Sequence, residues 1–222
     1  AQGNVLGREG VLSGITGSID FSEQIKGFTH YPHESINYHS SHDNLILYDK
    51  LKLSLGSDEE HITRVTKLIF GIQMLSFGIP FIHAGTEFSR TKFGHHNTYN
   101  LGDDINAINW QDKLKNKDLC DYVKELIQFR KNIDAFGYYN DEQIREKLVF
   151  LYNHMMVAYC LELGDEEYGA LFVAHNPTGE EKDMPFSLKE GRLLFQDGKK
   201  VDKDYQGEKI MPYSSMVIAT KK

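Results

Sequence analysis

Two adjacent polar residues, His42 and Asp43, are the strongest candidates for chemistry in this chain of 222 residues. They follow a short extended run at residues 36–39, and α/β enzymes place reactive side chains just past the C-terminal end of a strand. Both side chains could bind vicinal hydroxyls of a sugar. A carboxylate at Asp43 would strengthen such bonds as an oxocarbenium-like transition state forms. The alternative is structural, with Asp43 and Asn44 capping the next turn.

A second polar segment, residues 84–117, follows a short apolar run at 80–83. Aromatic rings alternate there with Asn and Asp, a composition typical of a carbohydrate groove in which rings stack on sugars and polar groups fix hydroxyls. Asn97, Tyr99 and Asp103 are the candidate binding residues. The alternative is that Tyr99 and Trp110 only hold the loop in place, and for Trp110 we favour it.

Two further features of these segments have mainly structural interpretations. Glu87 stands beside a tight turn at Gly85, where a carboxylate commonly accepts local backbone amides, so we expect an anchor rather than a catalyst. A metal-dependent hydrolase is a weaker hypothesis, because adjacent histidines seldom converge on one ion and no further well-spaced ligand is evident. Its candidate ligands are His39, His42, Asp43, His95 and His96.

Two helices and two short strands are predicted to position these residues. Residues 58–77 have apolar side chains at helical spacing, a capping box at Ser57 and Glu60, and a stop at Gly78. Residues 118–134 form a second amphipathic helix. Residues 1–35 are rich in Gly and predict a loop, with one helical turn at 20–26.

From about residue 146 the pattern changes to five short apolar or alternating runs separated by turn signals. Several strands at short spacing predict an antiparallel β-sandwich. We therefore expect two domains, an α/β unit over 1–140 and an all-β unit over 141–222. Two βα units cannot cover both faces of a parallel sheet. The strands at 36–39 and 80–83 therefore require neighbours. Because their edges are exposed, we predict that the isolated chain self-associates or has an incomplete, rearranged section of the sheet.

Composition narrows the choice of partners. The formal net charge is −7, which argues against nucleic acid as a partner. The apolar runs are too short for a membrane helix. The two cysteines, Cys120 and Cys160, are too few for a disulfide framework, and two mostly buried free thiols favour a cytoplasmic over a secreted setting. The sequence predicts no cofactor and leaves calcium open.

Five segments of the chain together resemble type I pullulanase, a debranching member of the α-amylase superfamily of glycoside hydrolases. They are residues 36–44, 47–51, 81–92, 97–100 and 104–110. The resemblance implies a (β/α)8 TIM barrel of which this chain supplies strands seven and eight, followed by a β-sandwich. It implies hydrolysis of α-1,6-glucosidic bonds in pullulan, starch or glycogen with retention of configuration. Asp43 then corresponds to the transition-state stabiliser, and His42 to a residue that binds hydroxyls of the same glucose.

The same resemblance implies that the chain is a fragment. The family's nucleophile and general acid follow strands four and five, and neither motif has a counterpart here, so two of three catalytic carboxylates are absent. We expect the segment alone to be inactive and to require the missing N-terminal part of the enzyme. The alternative function is a non-catalytic module that binds α-glucans such as maltooligosaccharides or assists assembly.

Overall fold

The computed structural model describes residues 7–151, 155–164, 167–188 and 190–221. No helix in these ranges is long and apolar enough to cross a membrane. Short 3-10 helices occupy Pro32–Glu34 and Thr86–Phe88. The α-helices are α1 (Arg8–Ile15), α2 (Leu47–Leu55), α3 (Glu59–Met74), α4 (Asp103–Asn106), α5 (Gln111–Lys115), α6 (Lys117–Lys131), α7 (Ala135–Tyr138) and α8 (Asp141–Lys147). The strands are β1 (Ile36–Asn37), β2 (Ile79–Pro80), β3 (Leu148–Leu151), β4 (Val157–Glu162), β5 (Tyr168–Asn176), β6 (Arg192–Gln196), β7 (Lys199–Asp204) and β8 (Ser214–Lys221).

Helix α3 is the central helix of the fold and confirms the predicted helix, with two local differences. Its N-cap is Asp58, not Ser57, because the Asp58 carboxylate accepts the backbone N–H groups of Glu60 and His61 at 3.1 Å each. The helix ends at Met74, before the predicted end at residue 77. Its apolar face is fully buried at Val65, Leu68 and Phe70.

The N-terminal part of the chain departs from prediction, because residues 8–15 form helix α1 rather than loop. Gly10 and Gly14 lower the intrinsic helix propensity of this stretch. Burial of Leu12 and Ile15 in the core offsets that cost. The helical turn predicted at 20–26 is not formed either, since residues 22–25 make a bend.

Strands β1 and β2 form a two-stranded parallel sheet in which Ile36 pairs with Ile79. Helices α2 and α3 lie between them in the chain, and the parallel pair with this helical connection is a βαβ unit. Large side chains on one face of this sheet are exposed: Ile36 (59%), Tyr38 (61%), Ile79 (49%) and Phe81 (44%). The described residues contain two parallel strands and form no closed barrel.

The C-terminal strands form a single six-stranded antiparallel sheet of order β3-β4-β5-β8-β6-β7. All five predicted strand regions are present. The predicted β-sandwich is not seen as two packed sheets among the described residues, because helices rather than a second sheet cover one face. Strand β7 was missed since its Lys and Asp side chains are exposed along its whole length, a pattern typical of a protected edge strand.

The main hydrophobic cluster crosses the predicted domain boundary at residue 140. It includes Val65 and Leu126 from the helices and Val173 and Val217 from the sheet. A smaller cluster covers the opposite face of the sheet around Met216 and Ile218. The division into 1–140 and 141–222 therefore stays a prediction, with a shared core between the two parts.

Cys120 and Cys160 are both free thiols, as expected. Both are half-buried rather than mostly buried.

Candidate functional site

His42 and Asp43 lie at an exposed tip between β1 and α2. Their side chains are 86% and 70% exposed, and His42 Nε2 lies 3.5 Å from Asp43 Oδ2. Asn44 is also exposed and has a positive φ of 61°, which turns the chain back toward the core. The next residues, Ile46 and Leu47, are buried and fix the base of the tip. The tip therefore presents a carboxylate and an imidazole that are free to contact a ligand.

The segment after β2 starts with a tight turn stabilised by local hydrogen bonds. Gly85 has a φ of 95°, which glycine adopts without strain. Its N–H donates to Glu87 Oε2 at 2.8 Å, so Glu87 is the local anchor that the sequence predicted. Arg90, buried at 7% exposure, donates to the carbonyl of Ala84 at 3.1 Å and to that of Asn106.

The buried carboxylate of Asp49 joins this segment to the tip. Asp49 lies in the first turn of α2 and is 6% exposed. It accepts hydrogen bonds from the Thr91 hydroxyl, from the Lys92 N–H at 2.8 Å and from the Gly94 N–H at 3.1 Å. Sequence reasoning missed this residue. The available signal was an acidic residue at a buried position among Leu47 and its apolar neighbours.

Asn97 and Tyr99 are exposed on the loop that follows, Tyr99 at 84%, and Asp103 is exposed at the start of α4. The buried Thr98 between them holds the loop, because its hydroxyl accepts from Lys92 Nζ at 2.8 Å and its carbonyl accepts from Asn106 Nδ2 at 2.8 Å. The described residues show no hydrogen bond or ion pair between these three side chains and the 42–44 tip. The structure thus links the backbones of the two loops through Asp49.

Two histidines lie beneath the tip. His39 packs edge-on against Phe70 with ring centroids 4.8 Å apart, and burial together with the charge of His83 lowers its pKa to about 4. Burial and the charges of Arg90, Lys92 and His42 lower the pKa of His83 as well. Both rings are therefore neutral near pH 7.

Metal binding finds no support in the part of the chain that the structure describes. It contains no group of three or more His, Cys, Asp or Glu side chains placed to hold one ion. No such group is formed by the candidate ligands His39, His42, Asp43, His95 and His96.

Gln73 of α3 links the C-terminal ends of both parallel strands. Its Nε2 donates to the carbonyl of Asn37 at 2.8 Å and to that of Phe81 at 2.7 Å. The buried Gln73 amide thus fixes the positions of the two strand ends relative to each other. The candidate loops begin after these strand ends. Sequence reasoning also missed this residue, since a Gln on a helix has no distinctive signal.

Two aromatic contacts involve exposed rings near the candidate loops. Tyr38 and Phe81 meet edge to face with centroids 6.5 Å apart at the strand ends. Trp110 packs on the buried Phe88 with centroids 5.8 Å apart and remains 63% exposed. Trp110 therefore contributes to holding the loop, as we expected.

Comparison with known proteins gives a consistent relationship. No family model matches the chain. It is 32% identical over 198 residues to a pullulanase of Bacillus subtilis, which covers 85% of this chain and 27% of that protein. It is 40% identical over 81 residues to the chloroplastic pullulanase 1 of Arabidopsis thaliana, covering 36% of this chain and 8% of that protein.

Solved structures give the same result for the fold. The type I pullulanase of B. subtilis in complex with maltose superposes with a TM-score of 0.91 at 27% identity, covering 100% of this chain and 32% of the other. A mutant pullulanase of Paenibacillus barengoltzii in complex with maltotetraose gives a TM-score of 0.88 at 28% identity, covering 96% and 34% of the two chains. The chain spans about a third or less of the proteins that it matches. By sequence and by fold, the chain therefore belongs with the type I pullulanases, of which it covers a part.

Proposed function

We propose that this chain is the C-terminal segment of an α-glucan debranching glycoside hydrolase that cleaves α-1,6-glucosidic bonds in pullulan, starch or glycogen. The observation that carries the proposal is the exposed His42–Asp43 pair at the end of a parallel strand, next to a loop with exposed Asn97 and Tyr99. The relatives named pullulanase, and solved pullulanases in complex with maltose and maltotetraose, support an α-glucan as ligand.

In this proposal β1 and β2 are strands seven and eight of a (β/α)8 barrel. A retaining glycosidase uses two carboxyl groups about 5–5.5 Å apart as nucleophile and acid/base. The part of the enzyme outside this chain supplies both. Asp43 accepts hydrogen bonds from sugar hydroxyls, and these bonds strengthen as positive charge develops on the sugar ring. His42 binds a neighbouring hydroxyl, and Asn44, Asn97, Tyr99 and Asp103 line the cleft.

A chimera tests this function directly. In the B. subtilis pullulanase, the region that aligns with this chain is replaced by residues 1–222, and release of reducing ends from pullulan is measured. We expect the chimera to hydrolyse pullulan and the isolated 222-residue chain to show no turnover. A folded chimera with no activity, or turnover by the isolated chain, would contradict the proposal.

A second candidate is a glucan-binding module without catalysis. It is favoured by the exposure of two aromatic rings within residues 84–117, Tyr99 at 84% and Trp110 at 63%. Calorimetric titration of the isolated chain with maltooligosaccharides distinguishes the two functions. Binding that is lost in Tyr99→Ala, together with an inactive chimera, would favour the module.

A further inference from the structure

Residues 92–95 form a tight turn in which a phenylalanine has a strained backbone. The N–H of His95 donates to the carbonyl of Lys92 at 3.0 Å. The two central residues, Phe93 and Gly94, have φ angles of 56° and 81°. Positive φ at both central positions is typical of a type I′ turn, in which glycine, asparagine and aspartate predominate. A bulky side chain such as that of Phe93 is disfavoured in this left-handed conformation.

Hydrogen bonds to a buried carboxylate hold the turn in this conformation. Asp49 accepts the N–H groups of Lys92 at 2.8 Å and of Gly94 at 3.1 Å, on either side of Phe93. The N–H of Phe93 donates to Thr91 Oγ1 at 2.9 Å, and the Thr91 hydroxyl donates to Asp49. The surrounding structure therefore fixes the strained residue, and such residues are concentrated at active sites and ligand-binding sites.

The ring that the turn carries is not part of the core. Phe93 is 66% exposed and belongs to neither hydrophobic cluster of the described residues. A Cβ at Gly94 would meet nothing within 4 Å, so the space next to the turn is open. Packing within the chain therefore does not explain why a bulky aromatic side chain occupies this turn.

A second buried contact places the ring close to the candidate binding residues. Lys92 Nζ donates to Thr98 Oγ1 at 2.8 Å, and both residues are buried. This bond closes the exposed residues 93–97 into a short loop. Phe93 is the first residue of the loop, and Tyr99 follows its far end. The loop thus presents two exposed rings, one on each side of the buried Lys92–Thr98 contact.

The turn also lies near the His42–Asp43 tip. The charges of Lys92 and of His42 both lower the pKa of His83, so both side chains lie within electrostatic range of this one imidazole. Asp49, which holds the turn, lies in the first turn of the helix that follows the tip. The exposed ring therefore lies on the side of the molecule that carries the candidate site.

We propose that Phe93 is a substrate-binding residue whose ring stacks on the apolar face of a glucose unit of the α-glucan, in the conformation that Asp49 fixes. The inference rests on the proposed function. Ligand sites combine apolar and aromatic walls with a few placed polar groups, and here Phe93 supplies a ring and Asn97 an amide on the same loop. A ring that is held in place before binding loses little conformational freedom on binding, which favours affinity.

Substitutions of Phe93 in the chimera with the B. subtilis pullulanase test this assignment. Phe93→Asn removes the ring and suits positive φ, whereas Phe93→Tyr keeps the ring. We expect Phe93→Asn to raise KM on pullulan about fivefold or more and to change kcat less than about twofold, because stacking binds the ground state and the transition state equally. Phe93→Tyr should keep both constants within about twofold of the unsubstituted chimera.

The matched control is Phe28→Asn. Phe28 is an 84% exposed ring that precedes β1, whereas the candidate loops follow the strands. This variant should leave kcat and KM unchanged. An unchanged KM in Phe93→Asn, or an equal rise of KM in Phe93→Asn and Phe93→Tyr, would overturn the proposal.

Thermal melting of the 222-residue chain distinguishes a binding role of the ring from a structural one. Asparagine tolerates positive φ, so Phe93→Asn should relieve strain and raise the melting temperature by about 2 °C or more. A lower melting temperature in Phe93→Asn would show that the ring stabilises the fold, and it would contradict the proposal.

Calorimetric titration of the chimera with maltotetraose separates this inference from the proposed function. A folded, inactive chimera in which Phe93→Asn weakens maltotetraose binding about fivefold or more would contradict the proposed hydrolysis and leave the role of Phe93 standing. An active chimera whose KM is the same in Phe93→Asn would contradict the role of Phe93 alone. A folded chimera that binds no maltotetraose would overturn both.

Discussion

The carboxylate of Asp49 accepts a hydrogen bond of 2.8 Å from the backbone N–H of Lys92, and this bond joins two loops that are 43 residues apart in the chain. Asp49 follows the His42–Asp43 tip by one short turn. Lys92 precedes the loop that carries Asn97 and Tyr99. The relative position of the two candidate loops therefore depends on a buried carboxylate.

Asp49→Asn should separate these loops. Replacing one carboxylate oxygen by an amide NH2 puts a donor against the donors of Thr91, Lys92 or Gly94. We expect the free energy of unfolding to fall by about 1–3 kcal/mol, measured by urea denaturation of the isolated chain. The control is Asp121→Asn, which removes an exposed ion pair on α6 and should cost at most about 0.5 kcal/mol. Equal losses in the two variants would show that Asp49 has no special role.

Arg130 closes the C-terminal end of α3. Its guanidinium donates to the carbonyls of Met74 at 2.8 Å, Ser76 at 2.5 Å and Gly78 at 2.8 Å. Burial lowers its pKa to about 10, which leaves it charged at pH 7. Arg130→Met leaves buried carbonyls without donors and should reduce the unfolding free energy by about 3 kcal/mol or more. The control is Arg192→Met, which removes an exposed ion pair on β6 and should cost less than about 1 kcal/mol. Equal losses of unfolding free energy in the two variants would refute the role of Arg130 at the end of α3.

Two buried histidines should make the protein less stable in acid. Burial, with a smaller effect of His83, lowers the pKa of His39 to about 4, and burial lowers that of His175 to about 3. The unfolded chain binds these protons below about pH 6.5 and the folded chain does not. The unfolding free energy should therefore fall as pH drops from about 6.5 toward 4, by at most about 1.4 kcal/mol per pH unit for each imidazole.

His39→Gln should make this decline shallower, which urea denaturation at a series of pH values measures. His95→Gln changes an exposed histidine and is the control. A His39→Gln protein with the same pH dependence as the wild type would show that His39 titrates normally in the folded state.

Asp43→Asn tests the role assigned to the tip. In the chimera, we expect kcat on pullulan to fall by about a hundredfold or more, since a neutral amide stabilises the developing positive charge poorly. KM should change much less, because the variant keeps most ground-state contacts. Asp121→Asn is again the control. A kcat near that of the unsubstituted chimera would refute the assignment of Asp43.

Several features of the fold could be predicted from sequence because their causes are local. The apolar spacing of α3 and α6, the acidic start of α3 and the turn signals between the C-terminal strands all lie within a few residues of the elements they define. The candidate residues His42 and Asp43 followed from their place after a strand and from a resemblance. Their exposure agrees with a ligand-binding role, and the role itself stays a prediction.

Other features of the fold depend on contacts between residues that are distant in the sequence, and only the tertiary structure shows them. Helix α1 forms despite two glycines because Leu12 and Ile15 are buried in a core built by later segments. The all-β region is one sheet covered by helices because α3 occupies the face that a second sheet would need. Asp49, Gln73 and Arg130 acquire their roles from backbone groups that a single sequence does not pair with them. By itself, the sequence determined where the helices and candidate loops lie. The packing around α3 decided which buried polar groups hold the loops in place and which edge of β1 stays open.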